Sequence, residues 1–405
     1  MASARGIPRI EKRIVVAALL FSAAMLGLIA VIAVHAAAAR AQDHFADVSG
    51  GRFVHNGKPF HVAGVNNHYL TFGSAAEVMR VLDDAVAMQA NVVRTFIQPV
   101  IGSLDGQTVA TIWNWRSKAE ASNLGVGGVY MLYWDTARGQ MGINDGADGL
   151  ERLDFLLAEA RKRDLKLLIA FLDFWAYTGG AQQMRAWYGS EDKNTFFFAD
   201  PRTKQNYKDW ISHVVNRVNT ITGVRYKDDP TVFAWQLMNE PDIRPPSLRD
   251  GWLAEMAAYV KAADQNHLVS SGRANVRDRL AELAIPELDF GVWHGYPRHT
   301  NLTPAQINTL IGEFCEIGRA HGKPVILEEF GLARSNRDQA AAYRTWLDTI
   351  HRSPGCAGWL VWRLVSRQDS GKVPADDHDQ FDIRNDGGEV WDVLKDAAIK
   401  LRARP

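Results

Sequence analysis

The chain has 405 residues, 47% of them hydrophobic, and its 46 Lys and Arg balance 46 Asp and Glu. That length allows one large domain with an extension and a sizeable core. The even charge gives no net field that favours nucleic acid or an anionic substrate, so a neutral polymer suits it better and no nucleic-acid partner is expected.

At the N-terminus Arg5, Arg9, Lys12 and Arg13 precede an uncharged, mostly apolar run from Ile14 to Val34, and Ala39-Arg40-Ala41 forms a small-x-small cleavage site. Residues 1–41 read as a signal peptide cut after Ala41 or, since the run is long enough to span a bilayer, as a signal anchor. Both readings export the remainder, to a secreted or periplasmic location, and any membrane contact is through the anchor alone. From Asp47 onward no linker or low-complexity tract breaks the chain, so 47–405 reads as a single domain.

Asn56-Gly57 is a turn that closes a hairpin from Arg52 to Val54, and Phe60 to Asn66 is the first strand of a series. Ser74 opens a helix through about Gln89, with Glu77 completing a capping box. Asn91 to Ile97 is the second strand, ending in Arg94-Thr95-Phe96. Residues 98–148 read as a long irregular insertion carrying Trp113, Trp115, Tyr130, Tyr133 and Trp134, suited to a substrate-contacting rim. A helix from Asp148 to Arg163 leads to the third strand, Leu165 to Leu172, with Asp173-Phe174-Trp175 at its end. A helix over 201–221 precedes the fourth strand, Thr231 to Met238, which stops at Asn239-Glu240-Pro241. After a helix from Leu248 to Asp264 come the fifth strand, His267 to Ser271, and the sixth, Leu288 to Trp293. A helix from Thr303 to His321, a seventh strand from Pro324 to Glu328, a helix from Gln339 to His351, an eighth strand from Ala357 to Trp362 and a helix near Val390 to Arg402 complete the chain.

Eight strands, nearly continuous in apolar residues and mostly separated by helices, predict a (β/α)8 barrel. Such a barrel builds its active site at the carboxyl ends of its strands, and here these carry Asn66, Arg94, Trp175, Asn239 with Glu240, His294 with Tyr296, Glu328 with Glu329, and Trp362. Hydrolysis of a glycosidic bond needs one carboxylic acid to protonate the leaving oxygen and one carboxylate to meet the anomeric carbon. Glu240 and a glutamate of the seventh strand can face each other across the mouth. Strand alternation lets only one of Glu328 and Glu329 point into the mouth and does not say which. Arg94 would bind the nucleophile carboxylate and lower its pKa, and Asn239 would bond a sugar 2-hydroxyl. His294 and Tyr296 would orient the glutamates. Trp362, one of 13 tryptophans, would be a sugar platform. Asp376-Asp377-His378-Asp379 reads as a solvated acidic loop rather than a metal site, and no metal or cofactor is expected. A bridge between Cys315 and Cys356 depends on a geometry that sequence does not contain.

Trp235-Gln236-Leu237-Met238-Asn239-Glu240-Pro241, Trp293-His294-Gly295-Tyr296 and Glu328-Glu329-Phe330-Gly331 together resemble glycoside hydrolase family 5, a retaining (β/α)8 family. Phe198 to Gln205, and Val218 to Gly223 before Tyr226 to Pro230, look like its endo-β-1,4-mannanase branch. The resemblance implies Glu240 as acid/base and Glu329 as nucleophile, with Glu328 a neighbour, and Arg94, Asn239, His294, Tyr296 and Trp362 as active-site residues. The stretch after strand three departs from the Asn-Asn-Trp of the branch, and only Trp175 carries over. The expectation is a monomeric retaining endo-β-1,4-mannanase acting on a β-mannan polysaccharide. A β-1,4-glucanase of the same family and a catalytically silent carbohydrate-binding barrel are the alternatives.

Overall fold

The computed structural model describes residues 45–112, 121–122, 124–374 and 379–405. Residues 1–41, read above as a signal peptide or anchor, Trp113 and Trp115 of the insertion, and Asp376, Asp377 and His378 lie outside the described residues. Ala46–Pro405 form one unit, and no helix among the described residues is long and apolar enough to cross a membrane.

Eight strands form the barrel: β1 (Val62–Asn66), β2 (Val92–Phe96), β3 (Lys166–Ala170), β4 (Val232–Gln236), β5 (Leu268–Ser270), β6 (Gly291–Gly295), β7 (Val325–Phe330) and β8 (Cys356–Val361). Their spatial order is β5-β4-β3-β2-β1-β8-β7-β6, with every pairing parallel. Between β5 and β6 the Asp289 N–H donates to the Val269 carbonyl (2.9 Å) and the His294 N–H to the Ala274 carbonyl (2.9 Å), which draws that edge together. The expected (β/α)8 architecture is therefore present. The helix Ala75–Ala87 starts at the expected capping box, with the Ser74 hydroxyl accepting from the Glu77 N–H and the Glu77 carboxylate from the Ser74 N–H.

The barrel interior is apolar at its amino end. Val62, Val92, Leu168, Ala234, Leu268, Val292 and Ile326 pack there with Phe53. Phe53 belongs to a small sheet of Ala46–Ser49, Arg52–His55 and Lys58–Pro59, and its ring meets Phe233 at 5.1 Å and Phe290 at 5.2 Å, both edge-on. The hairpin thus seals the floor with hydrocarbon. Buried polar groups need partners, so they collect at the opposite end.

Three expectations change. The sixth strand runs Gly291–Gly295 rather than Leu288 to Trp293, so His294 lies within it instead of following it. The helix expected over 201–221 stops at Asn216, where Val218 pairs with Arg225 across a turn. The 98–148 insertion is partly regular: Leu132–Asp135 and Gln140–Ile143 form a hairpin that adds to Val100–Ser103. Its Trp134 packs on Trp187 and Tyr188, which makes it part of a local core.

Cys315, on the helix Pro304–His321, is bonded to Cys356 at the start of β8, closing a loop across 41 positions of sequence. Constraining that loop in the unfolded chain stabilises the fold by about 2–4 kcal/mol. Cys356→Ser is accordingly expected to unfold at lower urea than the oxidised wild type; equal midpoints would show that the bridge is energetically idle.

Candidate active site

Above the apolar floor the inner face of the barrel turns polar, and Arg94 on β2 is its centre. The residue is fully buried and spends all five of its N–H donors. Nε and Nη2 reach Gln236 Oε1 (2.9 and 2.6 Å), Nη1 reaches Asn66 Oδ1 (2.9 Å) and Glu329 Oε1 (2.6 Å), and Nη2 also reaches Asn239 Oδ1 (2.8 Å). A lysine has three donors and no planar fork, so it does not substitute here. Gln236 was not singled out by sequence; its one signal is a polar side chain inside the otherwise apolar strand Val232–Gln236.

Strand alternation is broken at the seventh strand. Trp293 pairs with Leu327 while His294 pairs with Glu329, so β7 carries one extra residue, Glu328, against β6. Both glutamates therefore turn to the barrel axis, but as expected only one of them, Glu329, reaches the mouth. Glu329 is the upper of the two and lines the cleft. Its Oε2 accepts from the Tyr296 hydroxyl at 2.7 Å. Glu328 lies beneath, fully buried, accepting from Gln236 Nε2 at 2.6 Å, with His294 Nε2 at 3.2 Å and Arg94 Nη2 at 3.4 Å.

Glu240 projects from beyond the end of β4 with a left-handed φ of 48°, a strained geometry for a residue with a Cβ. Its N–H is held by the Gly272 carbonyl at 2.8 Å. A Cβ on Gly272 would lie 1.9 Å from the Met238 carbonyl oxygen, so only glycine lets the two strand ends approach. Glu240 Oε1 accepts from His294 Nδ1 (2.6 Å) and Oε2 from Trp175 Nε1 (2.7 Å). One polar atom each from Glu240, His294 and Glu329 lie within 4.8 Å of one another. Both ring nitrogens of His294 face carboxylates, which leaves no lone pair for a metal and fits the trio for proton chemistry instead.

The charges explain the proton inventory. Burial works against the charged form of His294, but Glu329, Glu240 and Glu328 together push it up to about 10, so it stays imidazolium through neutral pH. Burial would also raise Glu240, yet the bond and charge of His294, the Trp175 N–H and the charge of Arg94 hold it below the usual carboxylate value. For Glu329 burial prevails: its pKa is raised despite His294 and Arg94, with the charge of Glu240 adding to the rise. The lowering expected from Arg94 is present but outweighed. Tyr296 is pushed well above its ordinary value, by burial first and by Glu329 second, and so remains a donor.

Over this centre opens a cleft of about 870 Å³. Glu240, Glu329, Asn239, Trp175, His294, Tyr296 and Trp362 all line it, whereas Arg94 lies below. The Trp362 ring stacks on Phe96 (6.1 Å, 19° between planes), and Trp175 is 37% exposed, so both offer faces to a sugar. His68 and Asp173 also line the cleft and were not proposed as site residues. Of the described residues of the 98–148 insertion only Gln98 reaches it. That sets aside the rim role expected for Tyr130, Tyr133 and Trp134. Asp379 of the acidic loop lies at the edge of the cleft with His299 Nε2 at 3.2 Å and Arg298 Nη1 at 3.8 Å.

Comparison with known proteins agrees with this geometry. Residues 43–353 match the family model described as GH family 5 beta-mannosidase-like. The chain is similar to mannan endo-1,4-beta-mannosidase 3 of Arabidopsis thaliana, 30% identical over 370 residues that cover 80% of this chain and 82% of the relative. Among solved structures it is similar to the endo-1,4-beta-mannanase of Rhizomucor miehei, at 27% identity and a TM-score of 0.74, covering 88% of this chain and 99% of the other. The endo-beta-1,4-mannanase of Thermotoga petrophila is 29% identical with a TM-score of 0.70, covering 86% and 78%.

Proposed function

Because the chain belongs to the β-mannosidase-like members of glycoside hydrolase family 5, we propose that it is a retaining endo-β-1,4-mannanase acting on mannan, glucomannan or galactomannan. The observation that carries the mechanism is the approach of the Glu240 and Glu329 carboxylates to within 4.8 Å. Retaining enzymes hold this pair about 5–5.5 Å apart, and inverting ones leave about 6.5–9.5 Å for a water. The choice of β-mannan rests on the names of the relatives, since the paired glutamates would serve a glucan equally.

In the first step Glu329 attacks the anomeric carbon while Glu240 gives its proton to the departing glycosidic oxygen, leaving a glycosyl ester on Glu329. In the second, Glu240 takes a proton from a water whose oxygen displaces Glu329, and both carboxyls return to their starting states. Before substrate binds, Glu240 is held below and Glu329 above the usual carboxylate pKa. Substrate reverses that order, because positive charge developing at the anomeric carbon favours ionised Glu329 and the glycosidic oxygen draws the proton to Glu240. His294 Nδ1 lies 2.6 Å from Glu240 and 3.4 Å from Glu329, a path for that exchange. Asn239, held by Arg94, is the group proposed to bond the 2-hydroxyl as charge develops.

Export belongs to the same proposal, supported by the sequence of residues 1–41 and by the Cys315–Cys356 bridge, which persists in oxidising compartments. A single chain supplies every group of the centre, which suits a monomer. Reducing-sugar release from galactomannan and from carboxymethylcellulose, measured side by side, is expected to favour galactomannan. Release confined to cellulose would make the enzyme a glucanase, and release from neither would leave a carbohydrate-binding barrel.

A further inference from the structure

After the third strand the chain reads Asp173-Phe174-Trp175, and the first of these residues occupies a position with consequences for both glutamates. Asp173 is 3% exposed and pairs in parallel with Asn239 just beyond the ends of β3 and β4. Its Oδ1 accepts from Asn239 Nδ2 at 2.9 Å and from the Trp175 N–H at 3.3 Å. Each of these leads to one glutamate. Asn239 turns its Oδ1 to Arg94, which bonds Glu329, and Trp175 gives its indole N–H to Glu240.

We propose that Asp173 is a positioning residue for the reaction: one buried carboxylate orients the Asn239 amide and the Trp175 indole, and through them the acid/base and the nucleophile. An amide side chain is symmetric enough to flip, and Asn239 needs its oxygen toward Arg94. An acceptor on the opposite side, with no hydrogen to offer when ionised, selects that orientation. The charged groups facing Asp173 are Glu240 from the end of β4 and Glu329 from β7, both negative. Arg94 and His294 direct their hydrogen bonds to other partners. Burial first and the two carboxylates after it raise the Asp173 pKa to about 7 against the lowering bonds from Asn239 and Trp175, so it changes charge near neutrality. Its negative charge above that pH raises the pKa of its neighbours and helps Glu240 keep the acid proton.

The test rests on the proposed function only for its substrate, and uses the wild type, Asp173→Ala and Asp173→Asn on whichever of galactomannan or carboxymethylcellulose the wild type hydrolyses. Asp173→Ala removes the acceptor and is expected to lower kcat about 10- to 100-fold with a smaller change in KM, as misplaced reacting groups do. Asp173→Asn keeps an acceptor but no charge. It should recover most of the turnover near pH 5 and lose it at lower pH than the wild type on the alkaline side, by roughly half a unit or more. Thermal unfolding provides the second readout. An Asp whose folded pKa is raised stabilises fully below about 4 and loses that contribution as pH rises through about 7, so Asp173→Asn should gain on the wild type between about pH 4 and 7 and hold a constant difference above. An Asp173→Ala enzyme with unchanged kcat, or an Asp173→Asn enzyme with an unmoved alkaline limb, would overturn the inference. Wild type inactive on both polysaccharides would instead overturn the function.

Discussion

Glu329→Ala is expected to lower turnover by about 10⁴-fold or more, and added azide is expected to restore part of it with an activated aryl glycoside. The reason is spatial. The carboxylate lies between Arg94 Nη1 (2.6 Å) and the Tyr296 hydroxyl (2.7 Å) on the cleft floor, and its removal leaves a gap of anion-binding donors facing the anomeric carbon. Azide entering there attacks from the face the glutamate used, so the glycosyl azide has inverted configuration. Glu240→Ala should respond in the opposite sense: the ester on Glu329 still forms with a good leaving group, azide intercepts it in place of water, and the product retains configuration. Product stereochemistry by NMR separates the two. Retained product from Glu329→Ala with inverted product from Glu240→Ala would exchange the roles, and undiminished turnover in either variant would remove that residue from the chemistry.

Glu328→Ala is expected to destabilise the fold by about 3–5 kcal/mol, because it removes one counter-charge from two buried cations and the acceptor of the Gln236 amide. Glu328 is fully buried, accepts from Gln236 at 2.6 Å and sits 3.2 Å from His294 Nε2 and 3.4 Å from Arg94 Nη2. It is therefore more than the neighbour of a nucleophile. The same variant shifts a pH dependence. His294, raised to about 10 in the fold, stabilises fully below its ordinary value of about 6.5, and that contribution disappears as pH rises through about 10. Without one of its three carboxylates the fall should still begin near 6.5 but be smaller and complete at lower pH. Urea unfolding of wild type and Glu328→Ala from pH 6 to 10 measures both effects. Equal stability and an equal alkaline fall would mean that Glu328 carries no charge the network needs.

Much of the site was legible because a parallel barrel writes it at predictable places. Each strand ends where an apolar run meets a polar or turn residue, and those ends named Arg94, Trp175, Asn239, Glu240, His294, Tyr296, the Glu328-Glu329 pair and Trp362, the choice of Glu329 coming from the family resemblance. The Ser74 to Glu77 capping box and the Asn56-Gly57 turn were equally local, since each depends on contacts within a few residues. The beginning of the sixth strand was less so. Leu288 is buried and apolar yet lies outside the ladder, which opens at Gly291, and hydrophobicity alone does not distinguish burial in a loop from burial in a strand. The insertion misled for a similar reason, as its Trp134 is aromatic for a local core and not for a ligand.

What the sequence determined by itself is the class of fold, the two glutamates as candidates and most of the groups around them, all of which depend on short-range periodicity and on the residues that terminate each strand. The tertiary structure decided the rest. Only barrel closure brings Asn66 to the Glu328 carbonyl across 262 positions, Arg94 to Gln236 across 142, and Gln236 to Glu328 across 92. The one-residue bulge that turns both Glu328 and Glu329 inward exists because β6 and β7 fall out of step at His294. A register is a relation between two strands, and neither strand contains it alone. The pairing of Cys315 with Cys356 and the role of Asp173 beneath Asn239 obey the same rule: each is a property of distance in space, set once the eight strands have closed.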